Sequence, residues 1–356
     1  MEEKMNSKER IKMVLAHQEP DRVPIHDGPW GATVARWHKE GLPDGITPGE
    51  YFGYEMVMFG ADTSPRFPIK TIEKTDKYII QTTSTGATNK NFWDHTSTPG
   101  LIDRPIKEKQ DWFPIKERLE PDYTRVDWVS VFNNYHAAQS EGKFICYAGG
   151  YGYDVLQAYI RSDQLLVAMV DDPEWIKDMI MTFAKLTLEM AKMMMEKGLK
   201  FDAFFDYNDL GYRNGLLFSP ETYRRTHKEA DTMVYSFFHQ HQMPVLLHSC
   251  GNVKEIIPEL ISVGLDCLQP LEVKAGMDLI ELKKQYGDKL SFMGGIDVRP
   301  MADPDPSKIE EEIRTKFAVA KKGGGYIYHS DHSIPNNVSF SQYKRVMELV
   351  KKYSAY

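Results

Sequence analysis

The sequence predicts an α/β fold: a (β/α)8 barrel with an N-terminal extension that carries a small β-hairpin excursion. Three observations support this. From Lys143 onward, short apolar runs alternate with amphipathic helical stretches, and the connections are too long for hairpins, so the strands run parallel with helical crossovers. About six such strands follow Lys143, and one or two earlier ones complete eight. No glycine-rich dinucleotide fingerprint follows a strand, which weakens the competing open, doubly wound sheet. The length of 356 residues and the 42% hydrophobic content suit one barrel domain spanning 1–356, with 1–142 as its N-terminal portion and 143–356 as regular β/α units.

In chain order, residues 6–17 form a helix capped by Asn6 or Ser7, with an apolar stripe of Ile11, Val14 and Leu15. Pro20-Asp-Arg ends it, and Val23-Pro-Ile25 begins a short strand. Residues 26–66 hold helical pieces and loops. About 69–98 the chain becomes β-branched, alternating and Gly-interrupted, which reads as antiparallel hairpins outside the main fold. A helix lies near 127–140. Strands then fall at 144–148, 202–206, 245–249, 266–269, 290–293 and 325–329. The helices between them open at Asp172-Pro, Ser219-Pro and Asp305-Pro, the signature of an N-cap followed by proline in the first turn. A last helix covers 340–353. The methionines of the 173–197 helix read as core filling.

Charge and composition exclude some functions. Acidic residues number 51 against 44 basic ones, with no long Lys/Arg block, so nothing points to nucleic acid or an anionic membrane. No run approaches the roughly 18 apolar residues of a membrane helix, and the charged N-terminus has no signal-peptide core. Three scattered cysteines fit a reducing compartment. The expectation is a cytoplasmic enzyme.

In such barrels chemistry sits at the C-terminal strand ends. The predicted strands deliver His26 and Asp27; Asp206, Tyr207, Asn208 and Asp209; His248 and Cys250; Gln269 and Glu272; and His329, Asp331 and His332. His248 and Cys250 sit at i and i+2 in an extended strand, so both side chains face one point. His-x-Cys is half a metal site, because zinc takes three or four protein ligands. His332 is the expected third ligand, with Asp331, His329 and Glu272 as rivals, and such a set suits zinc with a position left open. Cys146 and Cys267 read as inert packing residues.

Several segments carry a family resemblance. Lys8-Glu-Arg, His17-Gln-Glu-Pro-Asp-Arg-Val-Pro24, Phe59-Gly-Ala-Asp62, His248-Ser-Cys-Gly-Asn252, Met293-Gly-Gly-Ile-Asp297 and His332-Ser-Ile-Pro335 resemble, in order and spacing, the uroporphyrinogen decarboxylase superfamily. That family implies an (α/β)8 barrel and one of two chemistries: cofactor-free decarboxylation of a tetrapyrrole, or zinc-dependent methyl transfer to or from a corrinoid. His248 and Cys250 match the methyltransferases' His-x-Cys pair, while His332 stands where those proteins carry a distant Cys. The decarboxylases' Arg-containing motif after the first strand is here His26-Asp-Gly-Pro-Trp-Gly31, without Arg.

The resemblance therefore favours a methyltransferase acting on a small methylated substrate, such as a methoxylated aromatic, with the corrinoid on a partner protein and a homodimer as the family-level assembly. A tetrapyrrole decarboxylase and a non-catalytic corrinoid- or tetrapyrrole-binding protein are the alternatives. In this reading His248, Cys250 and His332 hold zinc. Glu272, Asp331 and Asp209 handle protons or orient the reacting groups, and Asp62, Tyr151, Asp206, Tyr207, Asn208, Gln269 and His329 meet the substrate. Tyr153 and Trp30 join Tyr151 and Tyr207 as candidates for an aromatic wall.

Overall fold

The computed structural model describes residues 5–93 and 100–356. Its centre is a seven-stranded parallel sheet in the order Met56–Phe59, Phe144–Gly149, Ala203–Tyr207, Val245–His248, Cys267–Gln269, Ser291–Met293 and Tyr326–Ile327. Residues 23–25 join its two edges. Tyr328 N–H donates to Pro24 O (2.9 Å), His26 N–H donates to Tyr328 O (3.1 Å), and Glu55 N–H donates to Ile25 O (2.9 Å). The sheet is thereby closed into the expected eight-membered barrel. On the Tyr326–Ile327 side the closing segment pairs through the Ile25–Tyr328 bridge. Pro24 has no N–H to extend the ladder.

The strand Met56–Phe59 lies where sequence patterning indicated only helices and loops. Its four residues, Met-Val-Met-Phe, are too few for an alternation to stand out, and burial between two neighbouring strands overrides local preference. The excursion is larger than hairpins confined to 69–98. It is a four-stranded antiparallel sheet of Thr71–Lys74, Tyr78–Thr82, Thr88–Phe92 and Gly100–Asp103. Residues 94–98 of the expected excursion lie outside the described residues.

The helix Ser7–Leu15 closes the N-terminal end of the barrel. Asn6 and Glu9 cap it reciprocally. Lys8 N–H bonds Gly142 O, and Val14 O accepts from Gly325 N–H, just before two barrel strands. Ile11 and Val14 reach the barrel interior and pack with Met56, Phe144, Cys146, Ala203, Phe205, Leu246, Cys267, Met293 and Ile327. Cys146 and Cys267 are thus core thiols, and burial pushes both well above the ordinary thiol range.

The long helix Pro173–Glu196, capped by Asp172, packs outside the barrel through Ile176, Met179, Ile180, Phe183, Thr187, Met190 and Met194, so these methionines fill the core as expected. The helical run after Ser219 breaks at the buried His227 into Pro220–Thr226 and Lys228–Gln240. Among the described residues no helix is long and apolar enough to cross a membrane.

Candidate active site and metal centre

Strand alternation builds the site. The parity that puts Phe205 inside the barrel brings Tyr207 to its mouth; that of Leu246 brings His248; that of Cys267 brings Gln269; that of Ile327 brings His329. With Asp209, Cys250, His26, Trp30 and His332 these side chains line a cleft of about 370 Å³ at the C-terminal strand ends. The apolar floor and walls are Met58, Phe205, Met293 and Pro270. Among the described residues, no Arg or Lys lines it.

Three donor atoms converge on one side of this cleft. Those of Asp209, His248 and Cys250 all lie within 4.8 Å of one another. His248 Nε2 is 3.5 Å from Cys250 Sγ and 3.6 Å from Asp209 Oδ1. The loop geometry that allows this depends on Gly251, whose φ of 79° is left-handed and whose missing Cβ would lie 2.4 Å from the Gly211 carbonyl carbon. Asp209 Oδ1 accepts the Cys250 N–H at 2.7 Å. Glu272 accepts the Gly251 N–H at 2.8 Å, bracing the next residue.

The protons around this cluster follow from one fixed point. The Ser330 carbonyl can only accept, so His329 Nδ1, 2.6 Å away, donates to it. His329 Nε2 then accepts from the Gln269 amide nitrogen at 3.3 Å. Gln269 Oε1 is left to face His248 Nδ1, 2.5 Å away, which donates to it. In the neutral ring, His248 Nε2 is then the nitrogen that carries the lone pair, and it faces a carboxylate and a thiol. An imidazole lone pair, a carboxylate oxygen and a sulfur in mutual contact repel unless a cation or proton lies between them. Burial, with Asp209 and Glu272 close by, pushes the Cys250 thiol up, and a bound cation reverses that bias by stabilising the thiolate.

The donor set fits zinc. Zinc bonds of about 2.0–2.3 Å imply tetrahedral donor separations of roughly 3.3–3.8 Å, and both the Nε2–Sγ and Nε2–Oδ1 distances fall in that range. Three protein donors leave the open position of a catalytic site. Gln269 holds His248 in the ligating tautomer, so Gln269→Leu is expected to lower zinc affinity by about 10- to 100-fold. Competition with a chromogenic chelator measures it; unchanged affinity would mean that Gln269 does not orient the imidazole.

Of the residues singled out from sequence, His26, Asp27, Trp30, Tyr207, Asp209, His248, Cys250, Gln269, His329 and His332 line the cleft. His332 stacks on Trp30, with ring centroids 6.1 Å apart, and is not in the three-donor cluster. The structure gathers Asp209 there instead. Glu272 pairs with Lys274 at 3.2 Å besides bracing Gly251. Asp331, buried and thereby raised to about 6, accepts the backbone N–H groups of Val273 and Val298, each at 3.0 Å, and ties two strand-end loops together. Asp62 is exposed and pairs with Arg66 at 3.4 Å.

Tyr151, Asp206 and Asn208 point elsewhere. Tyr151 and Tyr223 donate to Asp231 at 2.9 and 2.6 Å, and Tyr235 donates to Asp206 at 3.0 Å. Both carboxyls are buried between barrel and helices, and burial raises both. Asn208 packs on Gly152, where an added Cβ would sit 2.3 Å from its Nδ2.

Two features carried no functional signal in the sequence. Asp154 accepts the Asp209 N–H at 2.9 Å, and burial together with Asp209 raises it to about 6. It stands on the short helix Tyr153–Gln157, 55 residues before its partner. Met58, Phe205 and Met293 read as ordinary core residues, which is what distinguishes a cleft floor least.

Among solved structures, a methyltransferase from Methanosarcina mazei matches with a TM-score of 0.68 at 15% identity, covering 98% of this chain and 99% of that one. A β-glycosidase from Thermosphaera aggregans (TM-score 0.46, 10% identity, 86% of this chain and 84% of that one) and a Bacillus subtilis mannanase (TM-score 0.43, 11% identity, 94% and 88%) are more distant. No curated protein sequence matches significantly. The family model described as uroporphyrinogen decarboxylase (URO-D) matches residues 156–353. That stretch exceeds half of the chain and includes the donor cluster, Gln269 and the His329–His332 loop, so the protein belongs to the uroporphyrinogen decarboxylase family.

Proposed function

We propose that this protein is a zinc-dependent methyltransferase that moves a methyl group between a small methylated substrate and a corrinoid carried by a partner protein. The observation that carries this reading is the convergence of an imidazole nitrogen, a thiol and a carboxylate at the mouth of the barrel. The family's metal-free decarboxylation has no use for such a cluster. A cleft without Arg or Lys also lacks partners for the carboxylates of a tetrapyrrole. The structural neighbour from Methanosarcina mazei is itself a methyltransferase.

His248, Cys250 and Asp209 would hold the metal, which supplies Lewis acidity to the heteroatom that gives up or accepts the methyl group. Gln269 fixes the His248 tautomer and ring plane, and His329 fixes Gln269. Tyr207, whose ring centroid is 5.4 Å from that of His248, walls the metal side of the cleft. Trp30 and His332, stacked together, supply a flat apolar surface for the substrate body.

The test is metal analysis of purified protein combined with the absorbance change of a corrinoid protein over a panel of methyl donors. About one zinc per chain and donor-dependent methylation are expected. Metal-free protein that decarboxylates a porphyrinogen would overturn the proposal.

A further inference from the structure

Beyond the donor cluster, the cleft contains a second imidazole with nothing to do. His26 lines it immediately after the closing strand. Its Nδ1 is sealed from solvent with no hydrogen-bond partner, and among the described residues its Nε2 has none either. The ring meets Tyr54 edge-on, with centroids 5.6 Å apart, and tilts against His329 at 6.2 Å. The neighbouring Asp27 cannot serve it. That carboxylate accepts the hydroxyls of Tyr328 (3.2 Å) and Tyr343 (2.8 Å), the N–H of Gly28 (2.9 Å) and the hydroxyl of Ser330. Burial, with His329 and Lys143 adding to it, lowers His26 to about 3, so the ring is neutral in ordinary buffers.

A neutral imidazole with one sealed nitrogen has a preferred tautomer. A buried N–H without an acceptor loses its hydration with nothing in return, and orphaned donors are rarer in proteins than orphaned acceptors. The proton therefore belongs on Nε2, the nitrogen not sealed from solvent. We infer that His26 is the substrate-orienting pole of this site: its Nε2–H donates to an acceptor oxygen of an uncharged, largely apolar small molecule whose reacting end faces the Asp209–His248–Cys250 cluster. This rests on the cleft being the substrate site of the proposed methyltransferase, and it adds a specificity. In the metal-free protein, with no Arg or Lys among the described lining residues, an anionic isostere gains no ion pair to offset its desolvation.

Ligand binding tests this without turnover, zinc or corrinoid, so its failure would not be the failure of the methyl-transfer reading. Three probes of similar shape suffice: acetophenone, with a neutral carbonyl acceptor; isopropylbenzene, with none; and benzoate, with a charged one. Calorimetry or ligand-observed NMR is run on the protein as purified and after chelator treatment. Acetophenone is expected to bind about 3- to 10-fold tighter than isopropylbenzene, the worth of one hydrogen bond, and at least about tenfold tighter than benzoate. The preference over isopropylbenzene should hold before and after chelation; the preference over benzoate is read after chelation, because a bound metal would pair with the carboxylate. His26→Leu should abolish the preference over isopropylbenzene while still binding that hydrocarbon, which also shows that the variant is folded. His26→Gln, which keeps a donor, should retain it. An acetophenone preference that survives in His26→Leu, or benzoate binding as tight as acetophenone in the chelated protein, would overturn the inference.

Discussion

Cys250→Ala is expected to leave a folded barrel whose zinc content falls to background and whose methyl transfer drops by about 100-fold or more. Structural zinc sites bind with roughly 10–16 kcal/mol, so one ligand of three or four contributes on the order of 3 kcal/mol, about two orders of magnitude in affinity. The substitution also leaves only an imidazole and a carboxylate, fewer protein donors than a catalytic zinc site uses. The fold should tolerate it. Cys250 is only partly buried and its backbone N–H keeps its bond to Asp209.

Asp209→Asn should behave like Cys250→Ala, whereas His332→Ala, outside the donor cluster, should retain the metal. Cys146→Ala and Cys267→Ala, in the barrel interior, should leave metal content unchanged. Elemental analysis alongside the corrinoid assay reads all five. A full equivalent of zinc in Cys250→Ala, or its loss in His332→Ala, would move the site away from the cluster described.

Much of this arrangement was legible in the chain, and what was not has identifiable causes. The barrel followed from the regular alternation after Lys143, and the convergence of His248 and Cys250 from their i, i+2 spacing. The same parity, applied one strand earlier, removes Asp206 from the cleft: Ala203, Phe205 and Tyr207 face inward, so Phe204 and Asp206 must face the helices. Asp331 and Glu272 looked catalytic because they are acidic and sit at strand ends, yet both are occupied by backbone N–H groups. Val273 and Gly251 lie 58 and 21 residues from them in sequence, and no local pattern announces a bond of that span. Asp209 was legible as a strand-end carboxylate; its place beside the His-x-Cys pair needed the loop path that Gly211 and Gly251 create by their close approach.

The opening motif has a structural explanation with a large expected effect. Arg10 and Glu55, 45 residues apart, meet at the N-terminal side of the barrel, each 2% exposed. Arg10 also grips Asp21 with two hydrogen bonds of 2.6 and 2.8 Å, and Glu55 accepts from Arg22 at 2.8 Å and from the Ile25 N–H at 2.6 Å. Glu55→Ala takes from Arg10 its buried partner, leaving it to Asp21, and strands the amide of the segment that closes the barrel. The expected cost is about 3–5 kcal/mol, the usual penalty for removing one partner of a buried pair, seen as a lower urea midpoint. Arg10→Met combined with Glu55→Leu should recover part of that loss, because well-packed apolar pairs often replace buried ion pairs without penalty. A Glu55→Ala cost below about 1 kcal/mol, the range of a surface pair, would show that this network does not hold the closure. The consequence reaches the cleft, since the residue after Ile25 is His26. Loosening the closing segment should weaken the acetophenone preference even in molecules that remain folded, which ties the N-terminal helix, through Arg10 and Glu55, to the orientation of the substrate.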